Sequence, residues 1–271
     1  MNLQRGSCQV IRSQKSSFSW VAELLWSLSL LRINFRYKET LFGYGWFFLQ
    51  PVALTVIFTY LFNRFALITT GDVPYTLFAA IGLVSWSLTA LVVNHSTYCI
   101  TGLHDMVKRA AFPKILLPLS AVIATGVDLV AMAGLLDILF VYYQVSLSWA
   151  VSWIFILGVI HLTLLIGLSC LASLANVFFL RDIGQAIPLL LQLWFFSSPV
   201  FYSSSLLPEG FRSLIRWNPM TGLIEGYRSV LLLGHPPPLD FIIPAGLVSL
   251  GVFVVGLICF WRVKEIISDF L

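Results

Sequence analysis

The chain of 271 residues is short of charge: Asp, Glu, Lys and Arg together make 10% of it, against about 25% in soluble domains. With 59% apolar residues and a mean hydropathy of +0.92, that scarcity excludes a water-soluble fold and makes the bilayer the main solvent. Cysteine is sparse as well. Cys8, Cys99, Cys170 and Cys259 stand far apart with no Cys-x-x-Cys, so neither a disulfide framework nor a zinc site is expected, and they read as small buried hydrophobes. His95, His104, His161 and His235 form no His-Glu-x-x-His pattern, which removes the usual helical metal site. A Gly-x-x-x-x-Gly-Lys-Ser/Thr loop is also missing; if ATP drives this protein, another subunit must bind it. Sixteen basic against twelve acidic residues leave a net charge of +4, too little for a nucleic-acid binder. No internal repeat of useful length is present, which removes support for an inverted-repeat transporter.

What is abundant is apolar length. A spanning helix needs about 20 mostly apolar residues, and six stretches offer them: 44–62, a part of 75–103, 117–143, 149–180, 183–207 and 241–261. Residues 208–240 hold an apolar helical piece, 221–233, too short to cross, which predicts a re-entrant or interfacial hairpin. Six spans put both termini on one side. Placing them inside puts twelve of the sixteen Lys and Arg inside and leaves Arg64, Arg212, Arg216 and Arg228 outside, so the termini are expected in the cytoplasm. The expected organisation is a polar cytoplasmic tail, 1–19, without a cleavable signal, followed by an all-α transmembrane domain, 20–271.

Between tail and first span, Trp20, Leu24, Leu28, Leu31 and Phe35 recur at helical spacing while Glu23, Ser27, Arg32 and Arg36 fall off that stripe. An amphipathic helix along the inner membrane surface follows, as a lipid anchor or a docking surface for a partner. In the inner loop, a basic-to-apolar segment, 107–118, carries Pro113 and Pro118 and includes Lys108, Arg109 and Phe112. It reads either as a stiff element able to transmit force or as an interfacial turn with snorkelling lysines.

Asp128 and Asp137 are acids within a span, where each costs roughly 2.5–3.5 kcal/mol unless paired or wet. Nine residues apart, they sit about 180° from one another on a straight helix, which excludes a carboxylate pair sharing a proton. Asp128 is expected to pair near the inner half and Asp137 to reach water near the outer end. Aromatics are enriched, at 22 Phe, 9 Tyr and 9 Trp. Tyr44, Trp46, Phe47 and Phe48 open the first span, and Trp194, Phe195, Phe196, Phe201 and Tyr202 crowd the outer half of the fifth. They read as an interfacial belt, or as rings lining a sugar path by stacking on pyranose C–H faces. The i, i+7 pairs Trp194/Phe201 and Phe195/Tyr202 would then form two adjacent rows.

Several segments taken together carry a resemblance: 35–51 (FRYKETLFGYGWFFLQP), 109–119 (RAAFPKILLPL), 181–188 (RDIGQAIP), 198–202 (SPVFY), 218–221 (NPMT) and 225–228 (EGYR). In this order, on a six-span pattern, the chain resembles the membrane subunit of type-2 ABC exporters, and within them the polysaccharide exporters of the O-antigen and teichoic-acid kind. The resemblance implies a homodimer with two cytoplasmic ABC ATPase subunits, ATP and Mg held in those subunits, no cofactor on this chain, and a lipid-linked glycan as substrate. It implies ATPase coupling through Arg32, Arg36, Tyr37, Lys108, Arg109 and Phe112. It further implies a conduit between the first and fifth spans of the two copies, and an outer gate positioned by Asn218, Glu225, Tyr227 and Arg228. Ser203–Ser205 and Pro236–Pro238 match no family role. An exporter of drugs or small lipids, a glycan-modifying intramembrane enzyme and an ion channel remain the alternatives.

Overall fold

Where no water is at hand, a segment must satisfy its backbone N–H and C=O groups by itself, and long runs of Leu, Ile, Val and Phe therefore become helices. The computed structural model describes residues 17–37, 45, 49, 52–57, 60, 73–109, 112–179, 182–264 and 266–268. Among them the chain is all-helical, without strands, as expected. The α-helices in order are α1 (Ser17–Tyr37), α2 (Tyr75–Thr97), α3 (His104–Arg109), α4 (Leu116–Ala124), α5 (Gly126–Tyr142), α6 (Trp153–Phe178), α7 (Asp182–Phe196), α8 (Glu209–Ile215), α9 (Pro219–Leu231) and α10 (Leu239–Val263).

Four stretches of the described residues are long and apolar enough to cross a bilayer: Tyr75–Thr97, Leu116–Tyr142, Trp149–Phe178 and Leu239–Val263. They coincide with the second, third, fourth and last expected spans. The fifth is different. α7 has 15 residues, about 22 Å of rise, and ends at Phe196 instead of running on to residue 207. The Ser197 and Ser198 hydroxyls donate back to the Leu193 and Trp194 carbonyls, at 2.9 and 2.8 Å, and a proline at 199 disfavours the helical region for the residue before it. Most of the expected first span, with Tyr44, Phe47 and Phe48, lies outside the described residues.

α2 is the central helix and packs against α5, α6, α7 and α9. α6 and α10 lie along one another, closest at two glycines: a Cβ on Gly256 would stand 2.7 Å from the Gly167 carbonyl oxygen. Small residues permit such approach in a bilayer, where dispersion rather than water exclusion holds helices together. In α7, Pro188 has no N–H for the carbonyl of Gly184 one turn back, and that oxygen accepts the Tyr98 hydroxyl at 3.0 Å instead. Gly184 N–H donates to Asn176 Oδ1 at 3.0 Å. The start of α7 is thereby pinned to the ends of α2 and α6.

Two apolar clusters mark the two ends of the bundle. One joins Leu28, Cys99, Ile100, Leu117, Cys170 and Phe260; the other joins Tyr75, Phe78, Trp86, Phe201, Met220 and Leu223. α1 packs on α4 at the first of these. Its expected stripe does not act as one face: Leu28 is buried, but Trp20, Leu31 and Phe35 are exposed, Phe35 by 74%. Leu24, Leu25, Leu28, Leu30 and Leu31 surround the helix, so the pattern left several apolar faces open and packing selected the one with Val21, Leu24, Leu25 and Leu28. Asp128 is buried and Asp137 exposed, on opposite sides of α5 as their spacing requires. Cys99 and Cys170 are buried free thiols; Cys259, expected to be buried, lies on the exposed face of α10. Hydropathy alone could not separate a position covered by protein from one covered by lipid.

Candidate functional site

The turn that follows α7 is where the structure concentrates its polar side chains. Its four successive carbonyl oxygens, from Pro199 to Tyr202, point into an apolar interior and need donors. Arg228, 3% exposed, supplies most of them. Its Nη1 donates to the Pro199 and Tyr202 oxygens at 2.7 and 3.3 Å, its Nη2 to the Val200 oxygen, and its Nε to the Phe78 oxygen at 3.2 Å. The Phe201 oxygen accepts the Tyr75 hydroxyl at 3.0 Å. One guanidinium fork and one phenol thus fill the whole turn, with the guanidinium carbon 3.5 Å from the Phe78 ring centroid.

Glu225, one turn before Arg228 on α9, completes the arrangement. Its Oε1 accepts the Ser204 N–H at 3.0 Å and stands 3.9 Å from Arg228 Nη1. Burial lowers the Arg228 pKa to about 10, and the nearby Glu225 carboxylate opposes that shift; the guanidinium stays charged at neutral pH. Gly82 on α2 is the floor of the site. A Cβ there would lie 2.5 Å from the Val200 oxygen and 2.7 Å from Arg228 Nη2, so only glycine admits both.

Asn218 holds the other end of the same turn. Its Oδ1 caps α9 by accepting Met220 N–H at 3.1 Å and also accepts Trp194 Nε1–H at 2.9 Å; its Nδ2 donates to Ser198 Oγ at 2.9 Å. Both ends of the amide are used, joining α7, the turn and α9. Beside this joint, an open groove of about 440 Å³ runs between α6, α7 and α10, lined by Leu164, Leu168, Trp194, Asn218, Val248 and Val252.

The aromatics predicted for a conduit divide by side. Because α7 stops at Phe196, the i, i+7 pairs make no helical rows. Trp194 and Phe195 turn inward against Trp86, with ring centroids at 5.3 and 5.4 Å. Phe201 is buried against Phe195, Tyr202 is half-buried, and Phe196 is 63% exposed. Tyr227 stands apart from the Arg228 cluster, its hydroxyl 3.4 Å from His161 Nδ1, while His161 Nε2 meets Thr89 Oγ1 at 2.8 Å. That buried link between α2, α6 and α9 was not foreseen; a histidine inside an apolar run was its one signal. Tyr75 and Gly82 were missed too, having no signal but their places in the first two turns of a span.

At the opposite end, Arg32 does not face away from the bundle. Its Nε donates to Ser120 Oγ at 2.8 Å and its Nη2 to the Cys99 oxygen at 2.9 Å, tying α1 to α4 and to the end of α2. Burial pushes the Cys99 thiol beside it up to about 12, so it is inert. Lys108 is exposed on α3 and Phe112 is packed on the adjoining apolar cluster. The side chains of Arg36, Tyr37 and Arg109 lie outside the described residues. Ser203 accepts the Ser205 N–H, and the Pro236 oxygen accepts the Ser229 hydroxyl at 3.0 Å, which gives the two unmatched stretches local structural roles. Among the described residues no cluster of His, Cys, Asp or Glu could hold a metal.

A family model described as ABC-2 type transporter matches residues 24–232. An O-antigen export system permease protein RfbA of Klebsiella pneumoniae is 30% identical over 81% of this chain and 84% of its own length. The protein of that name in Myxococcus xanthus is 29% identical over 76% and 79%. The polysialic acid transport protein KpsM of Escherichia coli is 23% identical over 77% and 81%.

Proposed function

Since the chain belongs to the ABC-2 type transporter family, we propose that it is the permease subunit of an ATP-driven exporter moving a lipid-linked, O-antigen-like polysaccharide across the cytoplasmic membrane. The observation that carries this reading is the similarity, over about four fifths of both chains, to permeases named for O-antigen export. The missing nucleotide-binding loop fits a division of labour in which two cytoplasmic ABC ATPase subunits bind ATP and Mg.

In this reading the four long apolar stretches, α7 and residues 44–62 make six spans with both termini cytoplasmic, and α8 with α9 forms a re-entrant hairpin on the outer side. Two copies enclose the passage. α1 and α3 receive the push of the ATPases through Lys108, Arg109 and Phe112, with Arg36 and Tyr37 at the end of α1. Arg32 acts one step further in, passing motion of α1 to α2 and α4 through its bonds to the Cys99 oxygen and Ser120. At the outer end Asn218, Glu225 and Arg228 hold the turn after α7 and so set the shape of the gate, while Tyr227 ties it to α2 and α6. Glycan binding along the way must be weak and repeated, because a tight site would stall conduction.

Deleting the gene in its host tests the reading. Surface polysaccharide should disappear, lipid-linked glycan should accumulate inside, and the full-length chain should restore both and co-purify with an ATPase. Unaltered surface glycan after deletion would refute it.

A further inference from the structure

α7 presents two unlike sides. Ile183, Gly184, Ile187, Leu191 and Trp194 turn toward the bundle. The other side carries Gln185, Leu189, Gln192 and Phe196, all exposed, Leu189 by 60% and Phe196 by 63%. At 3.6 residues per turn these four fall within about 60° of one another, and Trp194 lies nearly opposite. Neither glutamine amide has a hydrogen-bond partner among the described residues. Gln192 is the telling one. Ten residues into a helix of 15, it stands about 15 Å from the start of α7, at a depth where lipid tails would leave its amide unsatisfied.

The outward faces of the neighbouring spans are different. On α10 they are Ile243, Leu247, Leu250, Val254 and Ile258, and on α6 Phe155, Ile156, Val159 and Leu162, as expected of sides that meet hydrocarbon. Asp137 on α5 is exposed as well, but it stands about 31 Å along the apolar stretch Leu116–Tyr142, near its far end, where water is near. An unpartnered amide on an open face, about 15 Å along α7, requires water or another polar molecule in front of it.

From this contrast we infer that the row Gln185, Leu189, Gln192 and Phe196 is the surface of α7 that contacts the glycan, and that Trp194 and Phe195 position the helix from behind. The inference deepens the permease reading and rests on it. An amide offers both a donor and an acceptor, the complement of a sugar hydroxyl, and Phe196 offers a ring face to a pyranose. Gln185 and Gln192 repeat this chemistry at about 10.5 Å along the helix, which suits a chain that must be handed on rather than held.

The test uses the full-length chain in its host membrane with its ATPase. Gln192→Leu should lower surface glycan roughly three- to tenfold, the worth of one neutral hydrogen bond, with the ATPase still co-purifying; Gln192→Asn should restore most of it. In a background with the native cysteines replaced, Gln192→Cys should react with a charged, water-soluble maleimide, and less so while glycan is exported. Leu190→Cys, exposed about 160° away around the helix, should not react. Equal labelling at both positions, or none at 192, overturns the inference. So does a spontaneous 192–192 disulfide between copies combined with normal export by Gln192→Leu, which would make this face a subunit contact. If Gln192→Leu does not accumulate in the membrane, the labelling arm decides. Loss of surface glycan on gene deletion together with a negative result at 192 leaves the permease reading standing and removes this inference alone.

Discussion

The two ends of the bundle are held together by different chemistry. At the end with α9, Arg228, Tyr75, Asn218 and Glu225 bind the four carbonyls from Pro199 to Tyr202, the Ser198 hydroxyl and the Ser204 N–H, and a glycine floor leaves no slack. At the end with α1 the contact is mostly leucine on leucine, with Arg32 bonded to one hydroxyl and one carbonyl. Hydrogen bonds from a buried cation are directional, and they fail together when one partner goes. Apolar packing tolerates sliding. The first end is therefore fixed in one arrangement, while the second tolerates small shifts without losing its fold.

The largest break in this contrast should come from Arg228→Met. It leaves four carbonyls and Glu225 without their cation, a loss of roughly 3–5 kcal/mol, and the chain should no longer elute as a single folded species in detergent. Survival of the fold with unchanged melting would mean that the turn does not depend on this cluster. Gly82→Ala comes next, at about 1–3 kcal/mol, because its new methyl meets the Val200 backbone rather than a side chain that can swing aside; a melting curve in detergent measures it. Arg32→Met should cost about 1–3 kcal/mol and act locally: hydrogen exchange should quicken in α1 while α9 stays protected. If both ends exchanged faster together, the contrast between a fixed end and a tolerant one would be wrong. Lys108→Glu is the mildest for stability, within about 0.5 kcal/mol as an exposed site, yet it should weaken co-purification of the ATPase. Normal recovery of the ATPase would take Lys108 out of the coupling surface.

Much of the fold was legible in the chain. Length and hydropathy located four spans to within a few residues, and the spacing of Asp128 and Asp137 placed them on opposite sides of a helix. Asn218, Glu225 and Arg228 were picked out through the resemblance, and the structure brings all three onto one turn. Their partners were not legible: Tyr75 and Phe78 lie 126 and 150 residues away from what they bind. Arg32 looked like a surface cation off an apolar stripe, because the rest of α1 offered several apolar faces. Whether Trp194 serves a conduit or only the packing against Trp86 was not legible, because aromatic enrichment is the same whether a ring faces sugar or a neighbouring helix.

The sequence by itself determined that this is an all-helical membrane chain with no nucleotide loop of its own, since apolar length and a missing motif are properties of a local window. The tertiary structure decided which side of each helix is inside, which carbonyls Arg228 serves and which face of α7 remains open. Those follow from how helices about 8–10 Å apart interlock, a relation among segments far apart in the chain that no window contains.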